Sequence, residues 1–233
     1  MGIQRAVGQQ RAVVLLSGGL DSATCLAIAS RDHEVHALTF DYGSKHSREI
    51  NAAKAIAKHF DAKSHRILKV DLAVIGGSSL TEDSIQIKEA GSVDKIGQTI
   101  PNTYVPARNM TFLSLGMALA EVVGASKLFI GANSVDYSGY PDCRPEFIAA
   151  FQGAARLGTK AGVEGRPIKI EAPLLTFSKS QIIIKGAELG VPFELTWTCY
   201  RGGEKACGKC EACQLRLAGF REAGIDDPVR YEN

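Results

Sequence analysis

Ser17-Gly18-Gly19-Leu20-Asp21-Ser22 is a string suited to holding an anion. It follows the apolar run Ala12–Leu16 and leads into a helical pattern from Ala23 to Ile28. Two glycines let the backbone turn sharply and approach a ligand closely. The amides of such a turn, the positive end of the following helix and two serine hydroxyls can then converge on one phosphate. A Gly-Gly turn with Asp or Ser capping a helix is also ordinary loop chemistry. Its place at the first strand-to-helix junction of an alternating β/α chain favours the phosphate reading. The Gly-Lys-Ser/Thr ending of a Walker A loop is absent. Without that lysine the γ-phosphate is a less clear reacting group, and the loop aspartate suits Mg²⁺ coordination or orientation of a pyrophosphate.

A second chemical cluster lies near the other end of the chain. Four of the six cysteines fall within fifteen residues, as Cys199-x7-Cys207-x2-Cys210-x2-Cys213. Cys-x-x-Cys spacing lets two thiolates reach one tetrahedral ion, and four thiolates with no open position describe a structural Zn²⁺ site. An iron–sulfur cluster takes the same ligands. A redox pair is the remaining reading, which four cysteines in one short stretch fit poorly. Cys25 lies in a helical pattern and reads as buried packing; Cys143, in a polar loop, is a further candidate thiol.

Three other segments end strands or open helices on the expected ligand side. Phe40-Asp41-Tyr42-Gly43, followed by Lys45, His46 and Arg48, suits an adenine ring or phosphates, or is simply a turn before a basic helix start. Arg108, in Val105-Pro106-Ala107-Arg108-Asn109, can clamp a phosphate or carboxylate, or be merely solvated. The stretch from Gly131 to Pro145 holds Asp136, Tyr140, Asp142 and Arg144 and could read a heterocycle, or be only a structured loop.

These residues need a scaffold, and the apolar pattern supplies one. Strand-like runs at 12–16, 35–40, 66–70, 127–131 and 168–172 alternate with helical patterns at 21–30, 48–60, 109–123, 145–157 and 178–189. The last of these opens with a capping box, Ser178-x-x-Gln181, and stops at Gly190 with Pro192 beyond. Such alternation implies a doubly wound, mostly parallel α/β sheet with ligands at the carboxyl ends of its strands. The chain divides into an α/β domain over 1–195 and a small four-cysteine segment over 196–233. Residues 73–104 interrupt the pattern; a loop that long is either functional, as a lid over a site, or a tolerated surface insertion.

Composition narrows the partners. A chain of 233 residues, 45% hydrophobic and 22% charged, can bury the core of one α/β domain with an appendage. A net charge of +2 gives little pull on nucleic acid or an anionic membrane. No apolar run reaches the length of a membrane span, and the first ten residues are polar. The expectation is a cytoplasmic protein with neither nucleic acid nor membrane as partner.

The glycine loop resembles the pyrophosphate loop of the PP-loop ATP pyrophosphatase superfamily, whose fold is of the adenine nucleotide alpha hydrolase type. With Phe40–Gly43, Val105–Asn109, the loop from Gly131 to Phe147 and the four cysteines, the chain from about Val13 to Tyr231 is similar to the 7-cyano-7-deazaguanine synthase family of queuosine biosynthesis. The resemblance implies an ATP-dependent carbon–nitrogen ligase that takes 7-carboxy-7-deazaguanine and ammonia to the nitrile through adenylated intermediates. It implies that Leu16, Ser17, Gly18, Gly19, Leu20, Asp21, Ser22, Ala23, Thr24, Cys25 and Leu26 bind ATP, with Phe40, Tyr42 and Lys45 nearby. Ser17, Asp21 and Ser22 would serve pyrophosphate and Mg²⁺, and Arg108 the substrate carboxylate or phosphates. Asp136, Tyr140, Asp142 and Arg144 would read the deazapurine, while Cys199, Cys207, Cys210 and Cys213 would bind Zn²⁺. A homodimer is also implied. One departure is visible: Ser44-Lys45-His46 stands where the family has Gln-Arg-His, so a bidentate guanidinium is lost. The rivals are a PP-loop tRNA sulfurtransferase using Cys143, another adenylating amide-forming ligase, and a non-catalytic zinc-ribbon interaction module.

Overall fold

Short β-rich runs with nearly continuous apolar character become the buried central strands, while the edge strand over 64–69 is largely exposed. In the computed structural model, which describes residues 10–45, 47–91, 96, 99–134 and 139–232, these are β1 (Gln10–Leu15), β2 (His33–Asp41), β3 (Ser64–Lys69), β4 (Lys127–Ile130) and β5 (Lys169–Glu171). They form one sheet in the order β3-β2-β1-β4-β5, every pair parallel. The chain runs outward from β1 to β3, then returns to the other side of β1 for β4 and β5. The winding therefore reverses between β1 and β4, where a crevice is expected at the carboxyl ends. Leu15 lies opposite both Leu38 and Ile130, so β1 and β4 end level there while β2 runs on to Asp41.

Two helical layers cover the sheet. Ala12, Val14 and Leu16 face a core built with α1 (Leu20–Ser30), α2 (Arg48–His59), α6 (Lys179–Glu188) and α7 (Glu211–Ala223). Val13 and Leu15 face the opposite core, with α3 (Arg108–Val123) and α4 (Pro145–Gly158), the latter followed by the short α5 (Lys160–Val163). Coverage on both sides is why β1 shows no polar alternation. The doubly wound parallel sheet expected from the sequence is the observed one. The helix α7 was not foreseen, because Cys213 sits inside it and the cysteine spacing hides its apolar positions Ala212, Leu215 and Phe220.

Two segments lie differently from a simple reading. Within residues 73–104, Ser78, Ser79, Leu80, Thr81 and Thr103 are buried. Ser79 N–H donates to Asn102 O at 2.8 Å, Thr103 Oγ1 lies 3.0 Å from Tyr140 Oη, and Ala90 N–H donates to Lys209 O at 2.8 Å. The segment is thus stitched to the loop after β4 and to the cysteine segment. The cysteine segment in turn shares its core with the α/β layers: all four thiols are buried in the cluster that holds Leu16, Leu26 and Phe220. The helices α6 and α7 cross closely, since a Cβ on Gly219 would lie 2.4 Å from Lys179 Cγ.

Candidate active site

The glycine loop owes its shape to one residue and two hydroxyls. Gly18 has φ +89°, and a Cβ there would stand 2.2 Å from the Glu49 carbonyl oxygen and 2.8 Å from Ala53 N, so only glycine fits. Ser22 Oγ accepts from Ser17 N–H at 3.2 Å and donates to Gly19 O at 3.0 Å, while Ser17 Oγ accepts from Gly19 N–H at 3.2 Å. The loop is held in its turn before any ligand arrives. It opens directly onto the first turn of α1, whose leading amides have no acceptor within the helix. On the other side Gly131 lets β4 end against that turn, for a Cβ there would lie 3.0 Å from Ser22 N.

The lysine missing from the loop comes from elsewhere. Lys179 Nζ stands 2.8 Å from both carboxylate oxygens of Asp21, with side chains only 9% and 20% exposed. Lys179 is the first residue of α6, fixed by the capping box in which Ser178 and Gln181 bond reciprocally. The capping box was legible in sequence; that it aims a lysine at a loop 158 residues earlier was not. Because Asp21 holds an ammonium group with both oxygens, it does not present the open carboxylate expected of a Mg²⁺ ligand.

Above the loop lies a cavity of about 220 Å³. Ser17, Gly19, Asp21, Ser22 and Lys179 form its floor, and Phe40, Tyr42 and Phe112 an aromatic wall. Phe40 and Phe112 stack at 4.0 Å between centroids and 7° between planes, with Tyr42 tilted against Phe112 at 5.8 Å. Arg108 enters between two tyrosines, 5.6 Å from the Tyr42 ring centroid and 5.9 Å from that of Tyr140. Its position depends on a strained turn. Ala107 takes φ +55°, and its N–H donates to Tyr104 Oη at 3.1 Å. A left-handed non-glycine residue costs ~1–2 kcal/mol, strain of the kind found at functional sites. Glu49, from the first turn of α2, reaches the same cavity; burial pushes its carboxyl up to about 7, opposed by Arg108 and reinforced by Cys199. Burial also pushes the Tyr42 phenol up. Leu80, Trp197, Thr198 and Tyr200 also line it.

The expected site residues divide clearly. Leu16, Ser17, Gly19, Leu20, Asp21, Ser22, Phe40, Tyr42, Arg108 and Tyr140 line the cavity. Gly18 supports the loop from behind, and Ala23, Thr24, Cys25 and Leu26 are buried inside α1, away from the lining. Lys45 turns outward, 3.4 Å from Ile85 O and 3.5 Å from Asp83, on the 73–104 segment. Asp142 is buried and accepts from Asn109 N–H at 2.8 Å, capping α3 rather than lining the cavity. Arg144 is exposed at the start of α4, and Asp136 lies outside the described residues. Cys143 lines the cavity, but burial, with Asp142 adding, pushes its thiol up to about 12, and Asn109 Nδ2 donates to its sulfur at 3.2 Å. Such a thiol stays protonated at neutral pH and is a poor nucleophile. Glu49, Phe112, Lys179 and Tyr200 are lining residues that motif reading missed.

The four cysteine sulfurs lie within 4.8 Å of one another, all buried. Cys207 Sγ and Cys213 Sγ are 3.9 Å apart, close to the ~3.8 Å edge of a tetrahedron with Zn–S bonds of ~2.3 Å. Backbone N–H groups of Arg201 and Cys207 point at Cys199 Sγ, and those of Lys209 and Cys210 at Cys207 Sγ. The donor set therefore fits a closed thiolate site. Trp197 couples it to the glycine loop: its backbone N–H donates to Gly18 O and its indole N–H to Cys199 O, each at 2.9 Å, while Arg48 covers the ring at 5.1 Å. Arg216, buried, binds Asp227 through two bonds of 2.8 and 2.9 Å and Thr198 Oγ1 at 3.0 Å.

A doubly wound parallel sheet with this cavity at its switch point, floored by a glycine turn and a buried Lys–Asp pair, defines an α/β protein with a ligand site for anionic groups. The comparisons narrow that class: the chain belongs to the family described as queuosine biosynthesis protein QueC, whose model matches residues 11–224. It is 55% identical over 225 residues to the 7-cyano-7-deazaguanine synthase of Desulfitobacterium hafniense, covering 96% of this chain and 94% of that one. The synthase of Acetivibrio thermocellus is 55% identical over 223 residues, covering 95% and 98%, and that of Stutzerimonas stutzeri 52% over 228 residues, covering 97% and 100%. Family membership supports the synthase reading over the sulfurtransferase one. Among the described residues no helix is long and apolar enough to cross a membrane.

Proposed function

We propose that the protein is an ATP-dependent carbon–nitrogen ligase that converts 7-carboxy-7-deazaguanine and ammonia into 7-cyano-7-deazaguanine. One observation carries this reading: the glycine loop, Lys179 and Arg108 meet an aromatic wall in a single cavity, in a chain of this family. Both oxygens of a carboxylate leave poorly, so each must be activated by adenylation before it departs. The substrate carboxylate attacks the α-phosphorus of ATP, and pyrophosphate leaves into the loop. There Ser17, Ser22, the leading amides of α1 and Lys179 are placed to take up its charge. Ammonia displaces AMP to give the amide. The amide oxygen then attacks the α-phosphorus of a second ATP, releasing a second pyrophosphate, and loss of AMP with the two nitrogen protons leaves the nitrile. A loop without the Walker lysine favours AMP over ADP.

The aromatic wall of Phe40, Tyr42 and Phe112 suits a heterocycle, and Arg108 suits the carboxylate or a phosphate. Tyr140 is the deazapurine contact that the cavity supports; Arg144 and Asp136 are retained only as family expectations, and Asp142 serves α3. Magnesium would arrive with the triphosphate, and no step is assigned to it at Asp21. Cys199, Cys207, Cys210 and Cys213 would hold Zn²⁺, which as a closed four-thiolate ion supplies folding energy. A cytoplasmic homodimer, with no nucleic-acid or membrane partner, completes the reading. The test is incubation with ATP, Mg²⁺, ammonium and 7-carboxy-7-deazaguanine, followed by mass spectrometry. Amide and then nitrile are expected; an unconsumed acid would refute it.

A further inference from the structure

We infer that Glu49 receives the nitrogen substrate, binding ammonium at the cavity wall and accepting the N–H proton as the carbon–nitrogen bond forms. The inference rests on the function proposed above and assigns the step that reading leaves without a residue. Among the described residues, two acids line the cavity, Asp21 and Glu49. Asp21 is held through both oxygens by Lys179. No hydrogen bond or ion pair among the described residues ties the Glu49 carboxylate. The other polar groups of the lining suit the task poorly. Cys143 and Tyr42 are pushed towards their neutral forms by burial, and Arg216 is engaged by Asp227.

The chemistry requires such a group. Ammonium has no lone pair; it loses two protons on becoming an amide nitrogen, and that nitrogen loses two more on becoming a nitrile. In the amide-forming step the N–C bond forms, the C–O bond to the AMP phosphate breaks, and AMP departs with that electron pair. Of the two protons lost, the first passes from bound ammonium to the Glu49 carboxylate and on to solvent, which frees the lone pair; the second goes to the same carboxylate as the N–C bond forms, and thence to solvent. No oxidant or reductant is involved. Arg108 from α3, Tyr42 beyond β2 and Cys199 from the cysteine segment act on Glu49 electrostatically. A carboxylate that lines the cavity and is tied to no other side chain among the described residues can bind ammonium and take up its proton. The main chain of Glu49 also abuts Gly18, so its position is fixed relative to the glycine loop.

The test separates adenylation from nitrogen transfer in Glu49→Gln. Acid-dependent exchange of pyrophosphate into ATP is expected within about threefold of wild type, while amide formation falls ~10²-fold or more and KM for ammonium rises. Hydroxylamine, largely unprotonated at neutral pH, is expected to restore part of the turnover as the hydroxamate. Amide formation within threefold of wild type would overturn the inference. So would a parallel loss of exchange, or hydroxylamine serving no better than ammonium. The substitution is expected to fold, since burial already favours the neutral form of Glu49. Should it not fold, Glu49→Asp must show the same split, and an unchanged KM for ammonium would count against the assignment. A wild-type protein that makes no amide sinks the proposed function itself, and is recognised before any variant is compared.

Discussion

Replacing Lys179 by methionine separates what the lysine does for the fold from what it does for the ligand. Methionine keeps most of the apolar stem that packs against Gly219 and removes the ammonium that lies 2.8 Å from both oxygens of Asp21. Asp21 is then left charged with only 20% of its side chain exposed. Breaking a buried pair in this way costs ~3–5 kcal/mol, and the lower end applies because a fifth of Asp21 still meets water. For a chain of this size each kcal/mol shifts Tm by ~2–4 °C, so a fall of ~6–12 °C is expected by differential scanning fluorimetry. Adding Asp21→Asn removes the orphaned charge, and the double variant should regain all but ~1 kcal/mol. Pyrophosphate exchange, assayed well below each Tm, should drop ~10²-fold in Lys179→Met and stay low in the double variant. A Tm within about 2 °C of wild type for Lys179→Met, or a double variant no more stable than the single, would refute the electrostatic account. Recovery of exchange together with stability would reduce the lysine to a structural role.

Three further outcomes are expected. Gly18→Ala should cost well over the ~1–2 kcal/mol of left-handed strain in urea denaturation, because its Cβ meets the Glu49 carbonyl. Gly190→Ala, at φ +72° with open space around it, should cost only that strain. Cys143→Ser should keep turnover within about threefold, and Cys143 should resist alkylation at pH 8, since a thiol with its pKa at about 12 is almost wholly protonated there; rapid labelling would contradict this. Purified protein should carry one zinc per chain by elemental analysis, and Cys210→Ser should lose it. Because the sole tryptophan, Trp197, bonds both Cys199 and Gly18, metal loss should shift indole emission and weaken pyrophosphate exchange together.

Local rules carried the sheet, the glycine loop and the cysteine set. Each depends on residues close in sequence: strand periodicity, a Gly-Gly turn after an apolar run, cysteines three positions apart. The capping box at Ser178 was equally local and is present as read. What escaped was the assembly of distant groups. Glu49 looked like an ordinary acidic residue in a first turn, and nothing nearby marks it as facing a cavity. Lys179 follows an N-cap, a position with no chemical signature. Asp142 erred the other way: it sits in a polar loop with the composition of a binding loop, yet its carboxylate goes to the amide of Asn109. Helix ends compete for the same polar residues that ligands do, and only the fold decides between them.

Trp197 also bears on the order in which the chain is made. The glycine loop leaves the ribosome well before its partners, for the ammonium that neutralises Asp21 is encoded 158 residues later and the amide that fixes Gly18 belongs to Trp197. At ~5–20 residues per second, the nascent β1–α1 unit waits ~10–30 s for these partners. Through that interval its phosphate cradle is an unfinished structure with an unpaired aspartate. The site is thus completed only after Lys179 and Trp197 have emerged, and a chain truncated before Lys179 would carry the loop with its internal serine bonds but with Asp21 unneutralised.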